Sequence, residues 1–192
     1  MSDYLSGDAL LTYGLPALLL VAIVALVLYH RSRPAEINLR SVLADIAFER
    51  SESLVIPNGD DGEIQIDHLL LTANGLVIID IKDVSGNVFG SDKMQDWSVL
   101  GQTGRFTILN PQPALFDRIA AVRHIVRQVP VAGRVLFLEG AEFSKGTPGM
   151  VCSLSELQAE FGESDKAAAK FKVDAFRQHW EALHARAISG GD

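Results

Sequence analysis

The sequence has little cysteine, no excess of basic residues and no internal repeat. Cys152 is the single cysteine among 192 residues, which excludes a disulfide scaffold and a cysteine-rich zinc site. The formal net charge of −7 argues against a protein that binds polyanions over its whole surface, although a local basic groove is compatible with it. Apolar residues make up 48% of the chain, so it is not a disordered polymer.

Charged residues are also absent from the apolar run over 9–29. A helix of that length spans about 30 Å, the thickness of one hydrocarbon core. The charged side chains before the run, Asp3 and Asp8, are both acidic, whereas Arg31 and Arg33 follow it. The positive-inside rule therefore predicts a single transmembrane helix, with residues 1–8 outside and the C-terminal domain in the cytoplasm. In a bacterium this would be the inner membrane.

A cleaved signal peptide is the main alternative for this run. It is disfavoured because positive charge is missing before the run, the run is long, and no small-residue cleavage site follows it. A buried helix of a soluble protein is disfavoured because the run is apolar on every face. From His30 onward roughly 160 residues remain, enough for one ordinary core, and a single unpaired cysteine suits the reducing cytoplasm.

The rest of the chain alternates between helical and strand patterns. Apolar spacing predicts helices over 36–50, 115–129, 155–161 and 164–188, the last with Ser164 as its N-cap. Apolar and β-branched runs predict strands over 53–57, 63–72, 76–82, 84–89, 97–100, 105–109 and 134–139. This order predicts a mixed α/β fold with a largely antiparallel early sheet. We expect a linker over 30–35, a folded domain over 36–161, and a C-terminal helix and tail over 162–192.

Asn74-Gly75 separates two of these strands and is a strong hairpin signal. If these two residues form the loop, Asp67 lies directly opposite Lys82, and Asp80 lies on the diagonal. Side chains alternate across a strand, so the three groups would share one face of the sheet. A three-residue loop would instead move Asp67 to the other face.

Two carboxylates and one ammonium on one face favour metal-dependent hydrolysis. Mg²⁺ (or Mn²⁺) binds through one or two carboxylates together with waters and phosphate oxygens. Such an ion stabilises the charge that develops on a phosphodiester while water attacks, and a lysine can orient that water. The alternative is a solvated face with a salt bridge. It is weakened because the flanking runs, 69–71 and 76–79, are apolar on both faces, so buried charges there would be costly without partners.

The segment from Gly62 to Gly90 resembles the core of the nuclease-related domain (NERD) family. Its sequence is GEIQIDHLLLTANGLVIIDIKDVSGNVFG, and it is followed in the family's order by Trp97, Asn110-Pro111 and the stretch RVLFLEGAEF. The resemblance covers roughly 36–161, which it implies is a nuclease-related domain. The family is similar to restriction-endonuclease-like PD-(D/E)xK folds, whose signature matches Asp67 followed by Asp80-Ile81-Lys82. The resemblance implies a mixed sheet flanked by helices and a nuclease that hydrolyses nucleic acid, with DNA as the first candidate.

By the same resemblance, Asp67, Asp80 and the carbonyl of Ile81 would bind the metal ion. Lys82 would be the catalytic lysine. Gln65, which shares the predicted face with Asp67, could contact a metal-bound water or the substrate.

The resemblance also implies accessory residues, and here the sequence departs from the family pattern. A glutamate is expected in the first helix, where Glu36 is the best candidate and Glu49 the second. A glutamine is expected a few residues after Asn-Pro, but Gln112 follows Pro111 at once, and Ala114 stands at the usual place. These departures keep open a second reading, a catalytically weak or inactive interaction module at the membrane.

Two further features have both an ordinary and a functional interpretation. Trp97 is expected in the core, with base stacking as the alternative. Arg118, Arg123 and Arg127 are expected on a solvated helix face, with a phosphate-contacting edge as the alternative. A nucleic-acid-binding module without cleavage is disfavoured because the chain has no long basic or aromatic stripe. The sequence predicts no particular protein partner.

Overall fold

A computed structural model describes residues 38–59, 62–163 and 165–188. All of them belong to one compact unit, 38–192. The predicted transmembrane helix, Glu36 and Ser164 lie outside the described residues. Within the described ranges, no helix combines the length and apolar character that a membrane crossing requires.

Four helices and nine strands follow one another in the described residues of this unit. The helices are α1 (Leu39–Ile46), α2 (Gln112–Ile125), α3 (Leu154–Phe161) and α4 (Lys166–His184). The strands are β1 (Glu49–Asn58), β2 (Gly62–Thr72), β3 (Gly75–Lys82), β4 (Gly86–Phe89), β5 (Asp96–Gly101), β6 (Gly104–Leu109), β7 (Val131–Phe137), β8 (Ala141–Glu142) and β9 (Val151–Cys152).

The strands form two sheets. The larger has the order β1-β2-β3-β7-β9, and the smaller has the order β6-β5-β4-β8. In the larger sheet β1, β2 and β3 are antiparallel neighbours, whereas β7 is parallel to both β3 and β9. The predicted mixed α/β architecture with an antiparallel early sheet is confirmed.

Helices cover both faces of the larger sheet. The core on one face includes side chains from α2 and α4, and the core on the other includes side chains from α1 and α3. Alternate residues of the central strand β3 enter the two cores, Leu76 and Ile78 on the first face, Val77 and Ile79 on the second. A central strand covered on both faces is apolar throughout, so any charged residue in it needs a partner.

The first helix is shorter and the first strand longer than the sequence predicts. α1 ends at Ile46, and β1 begins at Glu49 instead of residue 53. The backbone amide of Phe48 already donates to the carbonyl of Leu71 at 2.8 Å. Pairing with β2 therefore ends the helix before its amphipathic pattern does. At the other end of the unit, the N-cap of α4 is Asp165, whose side chain accepts from the Ala168 amide at 3.0 Å.

Cys152 lies in β9 and is buried. Burial away from water raises the pKa of its thiol to about 12, with a smaller opposing effect from the positive charge of Arg134. The thiolate is the reactive and metal-binding form of cysteine. Cys152 is therefore a packing residue and not a candidate nucleophile or ligand.

Candidate active site

The turn between β2 and β3 differs from the predicted one by one residue. Thr72 pairs with Gly75, so the loop residues are Ala73 and Asn74. The Thr72 hydroxyl accepts from the Asn74 amide at 3.1 Å and donates to the Gly75 carbonyl at 2.9 Å. Gly75 has a φ of 115°, and a Cβ there would lie 2.3 Å from the Pro130 carbonyl oxygen. These contacts make Gly75 the first residue of β3 rather than part of the loop.

The register of the hairpin shifts by two residues as a result. His68 faces Ile79, and Leu69 faces Ile78, so the predicted pairing of Asp67 with Lys82 is wrong. Continued by one step, the observed register places Asp67 opposite Asp80. A shift of two residues leaves the predicted faces unchanged because side chains alternate with a period of two.

The hydrogen-bonded ladder between β2 and β3 ends at His68 and Ile79, although β2 extends to Gly62 and β3 to Lys82. We call the two strand segments beyond the last pair, 62–67 of β2 and 80–82 of β3, the fork. Asp67 and Asp80 are the first residues of its two arms.

The arm formed by β2 is irregular where the fork begins. Ile66 and Leu69 belong to the same core cluster, whereas strict alternation would place them on opposite faces. On the neighbouring strand β1, Ser53 has a φ of 54°. It lies between Glu52, which pairs with His68, and Leu54, which pairs with Ile66. Side chains therefore do not alternate strictly through Asp67 and His68. The face on which the Asp67 carboxylate lies follows from its contacts and not from its position in the strand.

Asp80 is the best-buried charged group of the fork, with 2% of its surface exposed. Its Oδ2 atom lies 3.1 Å from Nη1 of Arg118 and 3.8 Å from Nζ of Lys82. The Lys82 side chain is 34% exposed and the Arg118 side chain 19% exposed. One buried carboxylate thus faces two cations, one of which reaches solvent.

Arg118 connects the two arms of the fork. While Nη1 bonds to Asp80 on β3, Nε donates to the backbone carbonyl of Gln65 on β2 at 2.8 Å. The expectation that Arg118 lies on a solvated helix face is wrong. Arg123 on the same helix is exposed as expected, and so is Arg127, which lies in the turn after the helix ends at Ile125.

Asp67 joins this arrangement through Gln65. The Gln65 amide Nε2 donates to Oδ1 of Asp67 at 3.2 Å, so these two predicted site residues do meet. Among the described residues, no hydrogen bond or ion pair joins the Asp67 carboxylate to Asp80, Lys82 or Arg118. The structure thus brings together Asp80 with Lys82, and Gln65 with Asp67, and Arg118 links the two pairs.

The backbone of Ile81 adds an oxygen to the fork. The Lys82 carbonyl accepts from the Leu138 amide, on the β7 side, at 3.0 Å. Carbonyls alternate in direction along a strand, so the Ile81 carbonyl points to the opposite side, where pairing with β2 has ended.

The oxygen atoms around the fork suit a hard divalent cation. The hydrogen bond from Arg118 and the ion pair with Lys82 both involve Oδ2 of Asp80. Oδ1 of Asp80 has no hydrogen bond or ion pair with the described residues. Those residues contain no cluster of three His, Cys, Asp or Glu side chains that could hold a metal ion. Two carboxylates and a carbonyl are nevertheless a set that Mg²⁺ accepts, because this ion keeps several waters and binds phosphate oxygens.

Comparison with known families is consistent with this geometry. The chain matches the family described as NERD, nuclease-related domain, over residues 34–138, more than half of its length. The chain belongs to this family. No curated protein matches the chain, and no solved structure does. The mixed sheet flanked by helices is consistent with the restriction-endonuclease-like architecture that the resemblance implies.

The part of the chain that matches the NERD family contains the whole fork. It runs from before α1 to the residue after β7, so it includes Asp67, Asp80, Lys82 and Arg118. β8, β9, α3 and α4 follow the matched residues, yet α3 and α4 contribute side chains to the two cores of the larger sheet.

The accessory candidates of the NERD pattern lie elsewhere or are otherwise engaged. Gln112 is buried, accepts from the Met150 amide at 3.1 Å and hydrogen-bonds to Asn110 at 3.4 Å. These contacts join the start of α2 to the residues before β9. Glu49 forms an ion pair with Arg177 of α4. Both residues therefore have structural contacts away from Asp80.

The contact of Arg118 with Asp80 is the site feature that sequence reasoning missed, since it favoured a solvated face for this arginine and gave a phosphate-contacting edge only as the alternative. Arg118 lies three residues after Leu115 and four before Val122, and both of these are fully buried. Residues at those spacings share one face of a helix. The position of Arg118 within this apolar stripe was the available signal that its side chain faces the core and needs a buried acceptor.

Proposed function

We propose that this chain is a divalent-metal-dependent phosphodiester hydrolase that acts on nucleic acid, with DNA as the first candidate substrate. The observation that carries the proposal is the buried carboxylate of Asp80 at the open end of the β2–β3 ladder, with two cations beside it. Membership of the nuclease-related domain family supports it. Asp67, Asp80, Lys82 and Ile81 remain the proposed site residues.

The residues of the fork divide the work of such a site. Asp80, Asp67 and the Ile81 carbonyl would hold Mg²⁺ or Mn²⁺. Such an ion supplies positive charge for the phosphate and promotes ionisation of a water molecule. Lys82, partly exposed beside Asp80, orients the attacking water and stabilises negative charge on the phosphate. Gln65 holds one oxygen of Asp67 by the hydrogen bond described above and so fixes the direction of the other.

Electrostatics favours a phosphate at this point of an otherwise acidic chain. The chain carries a net charge of −7, yet Lys82 and Arg118 place two positive charges around one buried carboxylate. Charges in a partly desolvated site act more strongly than the same charges on the surface. A local attraction for phosphate can therefore coexist with a weak general affinity for polyanions.

Metal removal tests the proposed activity. Full-length protein is incubated with labelled single-stranded DNA, double-stranded DNA and RNA, in Mg²⁺, Mn²⁺ or EDTA. We expect cleavage of at least one substrate with either metal and none in EDTA, because the fork has no other strong electrophile than the bound cation. Product length on a denaturing gel separates cleavage within the strand from cleavage at its ends. Cleavage that persists in EDTA would contradict the proposal, and so would a lack of cleavage with both Mg²⁺ and Mn²⁺.

One observation favours a second candidate, an interaction module that retains the fold without catalysis. Oδ2 of Asp80 is already neutralised by Arg118 and Lys82 of the same chain, so the carboxylate does not need a metal ion to be stable. Absence of both cleavage and metal binding by calorimetry would support this second candidate.

The proposal also places the domain at the cytoplasmic side of a membrane, anchored by a helix over 9–29. It is supported by the uncharged run and by Arg31 and Arg33 after it. In spheroplasts that produce the full chain with a C-terminal epitope, added protease is expected to leave the epitope intact until detergent opens the membrane. Loss of the epitope before lysis would contradict this orientation, and recovery of the chain in the soluble fraction would contradict the anchor.

A further inference from the structure

Arg118 contacts the carboxylate that would bind a cation at the fork. Its guanidinium reaches Asp80 on one arm and the Gln65 carbonyl on the other, at the distances given above. The Asp80 side chain is almost fully buried, so contact with Arg118 and Lys82 provides the charge compensation available to it among the described residues.

A divalent cation bound to Asp80 would compete with the Arg118 guanidinium for the carboxylate. A buried carboxylate without a counter-charge is strongly disfavoured, which explains why Arg118 is bound there. Two cations on one carboxylate repel each other, and the repulsion is strongest where water is scarce. Lys82 is farther from Asp80 and more exposed than Arg118. Arg118 is therefore the counter-charge most directly affected when a divalent cation binds.

We propose that Arg118 is an exchangeable counter-charge that alternates between Asp80 and a substrate phosphate. Arg118 holds Asp80 while no divalent cation is bound. When the carboxylate takes a cation, Nη1 leaves Oδ2, while Nε keeps its bond to the Gln65 carbonyl. The released Nη1 then donates to a phosphate oxygen, for which the planar guanidinium is well suited. This proposal rests on the proposed function, since it requires that Asp80 binds a divalent cation.

Exchange links metal binding to substrate binding. Once Arg118 has left Asp80, its guanidinium is free for phosphate, so the cation promotes phosphate binding. By thermodynamic reciprocity, phosphate promotes cation binding to the same extent. The site would thus pass from a neutralised state to a phosphate-binding state only when metal is present.

Calorimetric titration of the full-length protein with Mn²⁺, without nucleic acid, tests the exchange. Arg118→Gln removes the competing charge and is expected to bind Mn²⁺ about tenfold more tightly than the wild type, in the usual range for coupled sites. In EDTA its Tm is expected to fall by about 5 °C because Asp80 loses its closest counter-charge. Saturating Mn²⁺ is expected to restore most of that loss, since the cation replaces the guanidinium.

Three variants make this test specific. Arg123→Gln changes an exposed arginine of the same helix, which donates to the Val131 carbonyl at 2.7 Å, and should leave Mn²⁺ affinity unchanged. Arg118→Lys retains the charge and is expected to bind Mn²⁺ within about threefold of the wild type. A larger gain would overturn the exchange even if the glutamine variant does not fold, because the competing charge is still present. Asp80→Asn should abolish binding.

The outcomes separate the two proposals. Equal or weaker Mn²⁺ binding by folded Arg118→Gln, with binding lost in Asp80→Asn, would overturn the exchange and leave the metal site standing. Failure of both the wild type and Arg118→Gln to bind Mn²⁺ would overturn the proposed metal site and the exchange with it.

Discussion

Replacement of Asp80 by asparagine is expected to lower the rate of phosphodiester cleavage by about a thousandfold, the equivalent of several kcal/mol of transition-state stabilisation. Asparagine is nearly isosteric with aspartate but carries no charge, so it can accept a hydrogen bond from Arg118 and cannot hold a divalent cation in place. The rate is measured under single-turnover conditions in saturating Mg²⁺, so that product release does not limit it.

Asp96→Asn provides a matched control for this prediction. Asp96 begins β5 in the smaller sheet and is exposed, and we expect its replacement to change the cleavage rate by less than about twofold. Circular dichroism and Tm show whether Asp80→Asn retains the fold. A folded Asp80→Asn protein that cleaves as fast as Asp96→Asn would remove Asp80 from the mechanism.

The hairpin shows which parts of this site the sequence can predict. The apolar pattern of 69–71 and 76–79 specifies which residues face each core, because a slip of one residue would turn every apolar side chain the other way. It does not specify the pairing partner, since a slip of two residues preserves the faces. That choice depends on the Thr72 hydroxyl and on the close approach of Pro130 to Gly75. Pro130 lies far along the chain from Gly75, so local turn preferences gave the wrong partner for Asp67.

Arg118 shows a second limit of the sequence. Its partners Gln65 and Asp80 are 53 and 38 residues away, so no local spacing predicts the bond. The helix that carries Arg118 was predicted, and its orientation against the sheet decides that Arg118, rather than Arg123, contacts the fork; Arg127 lies beyond the end of the helix. Family resemblance gave Asp67, Asp80 and Lys82 because their motif is local, and it left out a residue supplied by packing.

Replacement of Trp97 by alanine is expected to lower the free energy of unfolding by about 3–5 kcal/mol, the usual cost of truncating a fully buried tryptophan. Trp97 is 0% exposed, and its indole N–H donates to the Ser91 carbonyl at 3.1 Å. Its ring stacks on Phe137 and meets Phe143 edge-on, each at a centroid distance of 6.2 Å. A Cβ on Gly90 would lie 2.4 Å from the indole, so the ring packs directly against the backbone.

Phe137 also pairs with Lys82 across β3 and β7, so unfolding of this core would dismantle the fork as well. Urea denaturation of the full chain, followed by far-ultraviolet circular dichroism, measures the effect. Phe171→Ala is the matched control: Phe171 is 84% exposed, so losing its ring should change stability by less than about 0.5 kcal/mol. A Trp97→Ala protein that is as stable as the wild type but binds single-stranded DNA more weakly would contradict the packing role and favour base stacking. The burial of Trp97 on every side argues for the opposite result, in which stability falls and DNA affinity, corrected for the folded fraction, stays the same.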